Sequence, residues 1–133
     1  MIPDDILARI PGCGEGCPPT AVVQLSAGGG NRVLHVVTPV GQFVLRQRHS
    51  PLDRPGSTAL MELRSHGLAA AAGLAPRVLA SRPDGAWLLM EFIAEPSWSE
   101  AQLLSPLGAA RLGARLGELH ALPVPSDLPS FDA

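Results

Sequence analysis

The sequence predicts an α+β fold, in which a five-stranded antiparallel sheet carries one inserted helix and is followed by a further helix. Three apolar, β-branched segments lie within residues 21–48, and turn residues separate them. A helical repeat of apolar residues follows, and then two more short apolar segments surround a Pro-Asp-Gly turn. Strands that follow one another across such short turns pair as antiparallel neighbours.

The N-terminal residues predict a short amphipathic helix and a loop. Isoleucines at helical spacing run from Ile2 to Ile10, and two acidic residues in the first turn favour the positive end of the helix dipole. A Gly/Pro-rich loop follows and contains Cys13 and Cys17. Three residues separate these cysteines and no second pair follows, so we interpret them as ordinary thiols, with a structural metal site as the alternative.

The first three strands are joined by two different turns. The strands are predicted at 21–26, 32–38 and 42–48. The stretch Ala27-Gly28-Gly29-Gly30-Asn31 joins the first two, and Thr38-Pro39-Val40-Gly41 has Pro and Gly where a tight hairpin needs them. The predicted order is therefore strand, glycine loop, strand, hairpin turn, strand.

The third strand carries cations on one face only. Side chains alternate along a strand, so Val44, Arg46 and Arg48 share one face while Phe43 and Leu45 share the other. One face of the third strand therefore carries cations.

A helix is predicted next, capped by Ser57 or Thr58 and ending at Gly73. Its packing stripe comprises Leu60, Leu63, Gly67, Ala71 and Leu74. Glu62 and His66, four residues apart, lie beside that stripe. Strands at 77–82 and 87–93 complete the sheet, and a further helix begins at Ser105-Pro106.

The position of the glycine stretch favours a kinase-type nucleotide site. In a P-loop or a dinucleotide-binding fold the glycines open a helix, whereas here they join two strands. Kinase-like folds use such a hairpin loop to cover phosphates, a strand cation to bind them and a helix Glu to hold that cation. Arg46 and Glu62 have these positions; the alternative is that both are ordinary surface residues and that the glycines form only a turn.

Five segments together resemble the aminoglycoside phosphotransferase and choline kinase superfamily, with its protein-kinase-like fold. They are 25–46 with Gly-Gly-Gly-Asn and Phe-Val-Leu-Arg, Glu62, 73–79, 89–93 and 116–120. The order of these motifs over residues 20–122 carries the resemblance. The choline/thiamine-kinase-like branch is the most similar, because an Arg in a Val-Leu-Arg context can replace the strand lysine there.

The resemblance implies an ATP-binding N-terminal lobe of a small-molecule kinase, which transfers the γ-phosphoryl group of ATP to an alcohol. The implied nucleotide-binding residues are Gly28, Gly29, Gly30, Asn31, Arg46, Glu62, Glu91, Phe92 and Ile93. The glycine segment would cover the phosphates, Arg46 would bind them and Glu62 would hold Arg46. Residues 91–93 would offer backbone groups to adenine, although a plain buried strand end is the alternative reading of that segment. Choline, ethanolamine, thiamine and aminoglycosides remain open as acceptors.

The family's catalytic residues are missing from this sequence. The family needs an H-x-D-x-x-x-x-N loop and a following metal-binding Asp, whereas the only Asn here is Asn31 and His120 is followed by Ala-Leu-Pro. We therefore expect no turnover by this chain alone, no catalytic or metal-binding residue in it, and a role for Mg²⁺ only with a second lobe. A non-catalytic nucleotide-binding or regulatory module is the alternative function.

The predicted domain organisation follows from the same resemblance. The parts are an N-terminal helix and Gly/Pro loop (1–19), the nucleotide-binding lobe (20–93), a linker (94–104), the first helix of the second lobe (105–122) and a truncated or unstructured tail (123–133). The helix at 105–122 has an apolar stripe that normally packs inside the second lobe. We expect this stripe to fold back on the sheet or to stay partly exposed.

The distribution of charge argues against two classes of partner. Ten Arg and no Lys are spread along the chain against twelve acidic residues, whereas nucleic-acid binding needs clustered cations. No stretch approaches the roughly 20 apolar residues of a membrane-spanning helix, and the N-terminus lacks the basic start of a signal peptide. We predict a cytoplasmic protein whose partners are a nucleotide and, with a second lobe, a small-molecule acceptor.

Overall fold

The computed structural model describes residues 1–26, 30–49 and 59–127. The elements are α1 (Asp4–Leu7), β1 (Ala21–Ser26), β2 (Asn31–Thr38), β3 (Gly41–Arg48), α2 (Ala59–Ala71), β4 (Val78–Ser81), β5 (Trp87–Glu91), α3 (Glu100–Leu104) and α4 (Pro106–His120). The α+β class, the five strands and the helix inserted between β3 and β4 are as the sequence predicts.

The five strands form one antiparallel sheet in the order β1-β2-β3-β5-β4. The β2–β3 hairpin is in full register, from Thr38 opposite Gly41 at the turn to Asn31 opposite Arg48 at the far end. Strand β3 lies at the centre of the sheet, between β2 and β5. The cationic face of β3 therefore lies in the middle of the sheet.

The hydrophobic core lies on the opposite face of the sheet. It is formed by Leu34 and Val36 of β2, Phe43 and Leu45 of β3, Trp87 and Leu89 of β5, and Ile2, Ile6 and Ile10 of the N-terminal segment. The predicted alternation along β3 is therefore confirmed, because Phe43 and Leu45 are buried while Arg46 lies on the other face. The Thr38 hydroxyl donates to the carbonyl of Pro11 at 2.8 Å and fixes the N-terminal segment to the hairpin.

The first helix is shorter than the predicted span of 2–10. Only Asp4–Leu7 is helical, and the backbone N–H groups of Arg9 and Ile10 then bond to carbonyls three residues back. Such bonds tighten the chain into a turn. The three isoleucines still reach the core, so their spacing correctly predicted burial but overestimated the helix length.

Helix α2 ends where the sequence predicts, but its apolar stripe is only partly covered. The predicted capping residues Ser57 and Thr58 lie outside the described residues. The predicted end is confirmed, because Gly73 has a φ of +73° and the Leu74 N–H bonds back to the Ala69 carbonyl. Within the described part of the chain, no α2 side chain is fully buried. The predicted packing stripe is therefore only half-covered.

The predicted linker at 94–104 contains a short helix. Ser99 and Gln102 form a reciprocal capping box that starts α3, a signal that was present in the sequence as Ser-x-x-Gln. Ser105 then caps α4 at the Gly108 N–H, and Pro106 occupies the first helical position, as predicted.

Helix α4 leaves its apolar residues exposed. Among the described residues of this helix, only Gly108 is buried, where it packs against α3. Its exposed large apolar residues are Leu107, Leu112, Leu116 and Leu119. The stripe was expected to fold back on the sheet or to stay partly exposed, and the structure shows it exposed. In the described ranges, no helix combines the length and the apolar character that crossing a membrane requires.

Candidate functional site

The centre of the candidate site is an ion pair between strand β3 and helix α2. Arg46 Nη2 lies 2.5 Å from Glu62 Oε2. Arg46 points to the α2 side because it alternates with the buried Leu45, and Glu62 lies in the first turn of α2. The two residues that the sequence singles out as a cation and its partner are thus in direct contact.

A second guanidinium contacts the same carboxylate oxygen. Arg48 Nη1 lies 3.4 Å from Glu62 Oε2. The Arg48 side chain is 16% exposed, against 31% for Arg46 and 37% for Glu62. Two formal positive charges therefore lie beside one negative charge, and Arg46 is the more accessible of the two cations. An accessible guanidinium held in place by a carboxylate suits an anionic ligand.

The end of the glycine stretch lies beside these charges. The Gly30 carbonyl accepts a hydrogen bond from the His49 N–H at 2.9 Å, and Asn31 begins β2 directly opposite Arg48. Gly28 and Gly29 lie outside the described residues. Gly30 and Asn31, the described residues of the stretch, therefore lie at the end of β3 that carries Arg46 and Arg48.

A small pocket connects these elements. Its lining residues are Asn31, Arg46, Arg48, Ala59, Glu62, Leu63, Gly85 and Leu88. Its free space is about 10 Å³, which is about one water molecule. Gly85, with a φ of +76°, lies in the β4–β5 turn so close to the Ala59 carbonyl that a side-chain carbon there would lie 2.4 Å from the oxygen. Both residues of the ion pair line this pocket.

The predicted hinge residues lie at the end of β5, away from the ion pair. The Glu91 carboxylate accepts a hydrogen bond from the Arg77 N–H at 2.8 Å, and the Glu91 N–H donates to the Arg77 carbonyl at 3.0 Å. Phe92 stacks on His35, with ring centroids 4.0 Å apart and planes 13° apart. Ile93 lines a separate open cleft of about 630 Å³ beside the loop between α2 and β4.

Sequence reasoning missed two features of this face. Strand alternation placed Arg48 on the cationic face, but the sequence analysis gave Arg48 no role at the site. His35 was not recognised as a residue of this face. His35 lies opposite Val44 in β2 and its Nε2 lies 2.9 Å from Gln42 Oε1. The alternation along β2 and β3 could have identified His35, because its partner Val44 lies on the same face of β3 as Arg46.

The cysteine loop lies apart from this site. Cys13 is half-buried and packs against the core beneath the sheet, Cys17 is exposed, and both are free thiols. Burial, and secondarily the neighbouring Cys17, raises the pKa of the Cys13 thiol. In residues 1–26, 30–49 and 59–127, no three His, Cys, Asp or Glu side chains group as metal ligands.

Two comparisons relate the chain to known proteins. The model of a family described as "Phosphotransferase enzyme family" matches residues 21–133. Among solved structures, a choline/ethanolamine kinase family protein from Mesorhizobium loti is similar, with 25% sequence identity and a TM-score of 0.62. The similarity covers 95% of this chain and 39% of that chain, so the present chain spans well under half of its structural relative. No curated protein sequence matches.

Proposed function

The chain belongs to the phosphotransferase enzyme family, and from this premise we propose that it is the ATP-binding lobe of a kinase that phosphorylates a small-molecule alcohol. The observation that carries the proposal is the direct contact of Arg46 on β3 with Glu62 on α2. Phosphoryl transfer depends on a fixed cation at the nucleotide phosphates, and an ion pair from a strand to a helix fixes that cation.

The residues around this pair fit the phosphates of a nucleotide. A guanidinium binds phosphate oxygens through paired N–H groups, and Arg46 is the more accessible of the two at the pocket. The backbone at Gly30 and Asn31 lies at the same end of β3. When bound, ATP would supply the transferable phosphoryl group, and Arg46 would orient its phosphates.

An aromatic pair at the other end of the face fits the base. His35 lies opposite Val44, two residues along β3 from Arg46, which is about 7 Å of strand. Its stack with Phe92 lies beside the end of β5, which ends at Glu91. Planar rings favour stacked partners such as adenine. These contacts support a base near His35 and phosphates near Arg46.

The acceptor class rests on the family and on the structural relative. That relative is described as a choline/ethanolamine kinase family protein, and 61% of its chain has no counterpart in this one. Small alcohols of the choline, ethanolamine, thiamine or aminoglycoside type are therefore the proposed acceptors.

An equilibrium titration of the 133-residue protein with ATP tests the proposal. Arg46→Gln should weaken binding about 10–100-fold, the effect of losing charged hydrogen bonds of about 1.5–3 kcal/mol. Arg115→Gln removes the same charge from the exposed surface of α4 and should leave the affinity unchanged. Absence of ATP binding, or equal losses in both variants, would refute the assignment.

A non-catalytic nucleotide-binding module is the second candidate. It rests on the same Arg46–Glu62 pair, because a fixed cation can hold a nucleotide without any transfer of its phosphoryl group. Both candidates predict ATP binding and no phosphoryl transfer by this chain alone with Mg²⁺. They differ when a separately produced second lobe of a family member is added, because only the kinase lobe should then support Mg²⁺-dependent transfer to an alcohol.

A further inference from the structure

Residues 1–11, the N-terminal segment, lie outside the family match and yet supply part of the hydrophobic core. The match to the family begins at residue 21. Ile2, Ile6 and Ile10 are nevertheless only 6%, 4% and 1% exposed, because they pack on the face of the sheet opposite the candidate site. The segment is therefore an integral part of the folded lobe.

Two hydrogen bonds attach this segment to strand β2, one near each end of the strand. The Thr38 hydroxyl donates to the Pro11 carbonyl at 2.8 Å, at the hairpin end. Arg32 Nη1 donates to the Met1 carbonyl at 3.3 Å, at the other end. The two donors are about 20 Å apart along the strand. The segment is therefore held at both ends of β2.

Arg32 lies directly after the described part of the glycine stretch. Gly30 and Asn31 precede it in the chain, and the Gly30 carbonyl accepts a hydrogen bond from the His49 N–H at 2.9 Å. A displacement of Arg32 passes to these two residues through the backbone, because each planar peptide unit leaves only two free dihedral angles per residue. The bond at Arg32 therefore restricts the backbone that reaches the candidate site.

The Arg32 side chain does not itself face the site. Side chains alternate along a strand, so Arg32 shares the core face of β2 with the buried Leu34. Val33 lies on the other face, opposite Arg46. The sheet thus separates the guanidinium groups of Arg32 and Arg46. Apart from long-range charge, any effect of Arg32 on a ligand at Arg46 must act through the backbone.

We infer that Arg32 is a positioning residue, whose bond to the Met1 carbonyl lets the N-terminal segment hold Gly30 and Asn31 in place for nucleotide binding. The inference rests on the proposed function and deepens it, because it gives a part in nucleotide binding to a segment outside the family match. Loss of the bond at Arg32 should affect the site. Loss of the bond at Thr38 should affect stability alone, because it holds the same segment at the far end of β2.

ATP titrations of paired variants test the inference. Arg32→Gln should weaken ATP binding about three- to fivefold, because the backbone beside the phosphates is then less restricted. Thr38→Val removes the bond at the other end of β2 and should lower stability, while ATP affinity stays within about twofold of the wild type. Arg32→Lys keeps a cationic donor and should restore the affinity. Arg9→Gln removes the same charge from an exposed position of the same segment and controls for long-range electrostatics.

Hydrogen exchange at the His49 N–H measures the same restriction without a ligand. This amide donates to the Gly30 carbonyl, so its exchange becomes faster if Gly30 moves away. Arg32→Gln should speed the exchange about three- to tenfold, whereas Thr38→Val should leave it close to the wild-type rate once global stability is taken into account. Equal acceleration in both variants would show that the segment only stabilises the fold, and would overturn the inference.

The remaining outcomes separate this inference from the proposed function. If the wild type binds ATP and Arg32→Gln changes neither the affinity nor the exchange of His49, the inference fails and the nucleotide function stands. If Arg32→Gln and Arg9→Gln weaken ATP binding equally, the effect is one of charge and the inference fails. If the wild type does not bind ATP, the nucleotide function fails, and the exchange comparison alone decides whether Arg32 holds Gly30 in place.

Discussion

At the scale of residues, Arg46 and Glu62 could be assigned from the sequence because two independent periodicities indicate them. Strand alternation places Arg46 opposite the buried Leu45, and Glu62 follows in the first turn of the next helix. Their distance could not be predicted, because it depends on how α2 lies on the sheet. The shared contact of Arg48 with Glu62 depends on the same placement and was missed for the same reason.

Gly85 is the residue whose substitution should disturb that placement. Gly85→Ala forces a side chain into a φ of +76° and towards the Ala59 carbonyl at the start of α2. We expect a loss of about 1–3 kcal/mol in the free energy of unfolding, measured by urea denaturation. The matched control is Gly67→Ala in α2, where an added methyl group meets no described atom within 4 Å. This control should gain about 0.5–1 kcal/mol.

The Gly85 variant has a second readout at the site. Because Ala59 begins α2 and Glu62 lies one turn later, displacement of the helix start should lengthen the ion pair with Arg46. ATP binding by Gly85→Ala should therefore weaken, whereas Gly67→Ala should bind ATP as the wild type does. Equal stability of the two variants would contradict the close approach of the turn and the helix.

At the scale of elements, the sequence predicted all five strands, α2 and α4 because each has a clear period and a turn or cap at its ends. The predictions that were wrong concern two short helices. The helix at the N-terminus ends early because its last residues adopt tight turns, and α3 was missed because five residues give too little periodicity. Domain boundaries drawn from such patterns, including the linker at 94–104, stay predictions.

The start of the predicted unstructured tail is attached to α2. Arg64 Nη1 lies 2.8 Å from Asp127 Oδ2, and residues 128–133 lie outside the described residues. The pKa of Asp127 lies below its ordinary value of 3.8, mainly because its carboxylate accepts a hydrogen bond from Arg64. A depressed pKa means that the pair is intact at neutral pH and is lost as the pH falls through the folded-state pKa.

Carboxyl-carbon NMR over an acid titration tests this attachment. The Asp127 midpoint should lie below 3.8 in the wild type and return towards that ordinary value in Arg64→Gln. Arg115→Gln removes a cation that pairs with Glu118 instead, so it is the control and should leave the Asp127 midpoint at its wild-type value. An Asp127 midpoint that is the same in the wild type and in Arg64→Gln would show that the contact is not formed in solution.

At the scale of the whole molecule, the two faces of the sheet have different coverings. The N-terminal segment covers one face with three isoleucines, while the other face carries the ion pair, the aromatic stack and α2. Helix α4 has no comparable covering among the described residues. The sequence could predict its apolar stripe but not what covers it, because the period of a helix does not identify its partner.

The exposed stripe predicts self-association of the isolated chain. Leu112 and Leu116 lie four residues apart on α4, and both are more than 40% exposed. An apolar patch of this kind favours contacts between copies. Size-exclusion chromatography with light scattering should show oligomers for the wild type and a shift towards monomer for the double variant Leu112→Gln and Leu116→Gln. A monodisperse wild-type monomer would contradict this prediction.

The central claim is that a nucleotide binds on the face formed by β2, β3, β5 and α2, and backbone NMR during an ATP titration tests it most directly. We expect shift changes at Gly30, Asn31, Arg46 and Phe92, with none at the Cys13 loop beneath the opposite face. Changes confined to α3 and α4, or no changes at saturating ATP, would contradict the account.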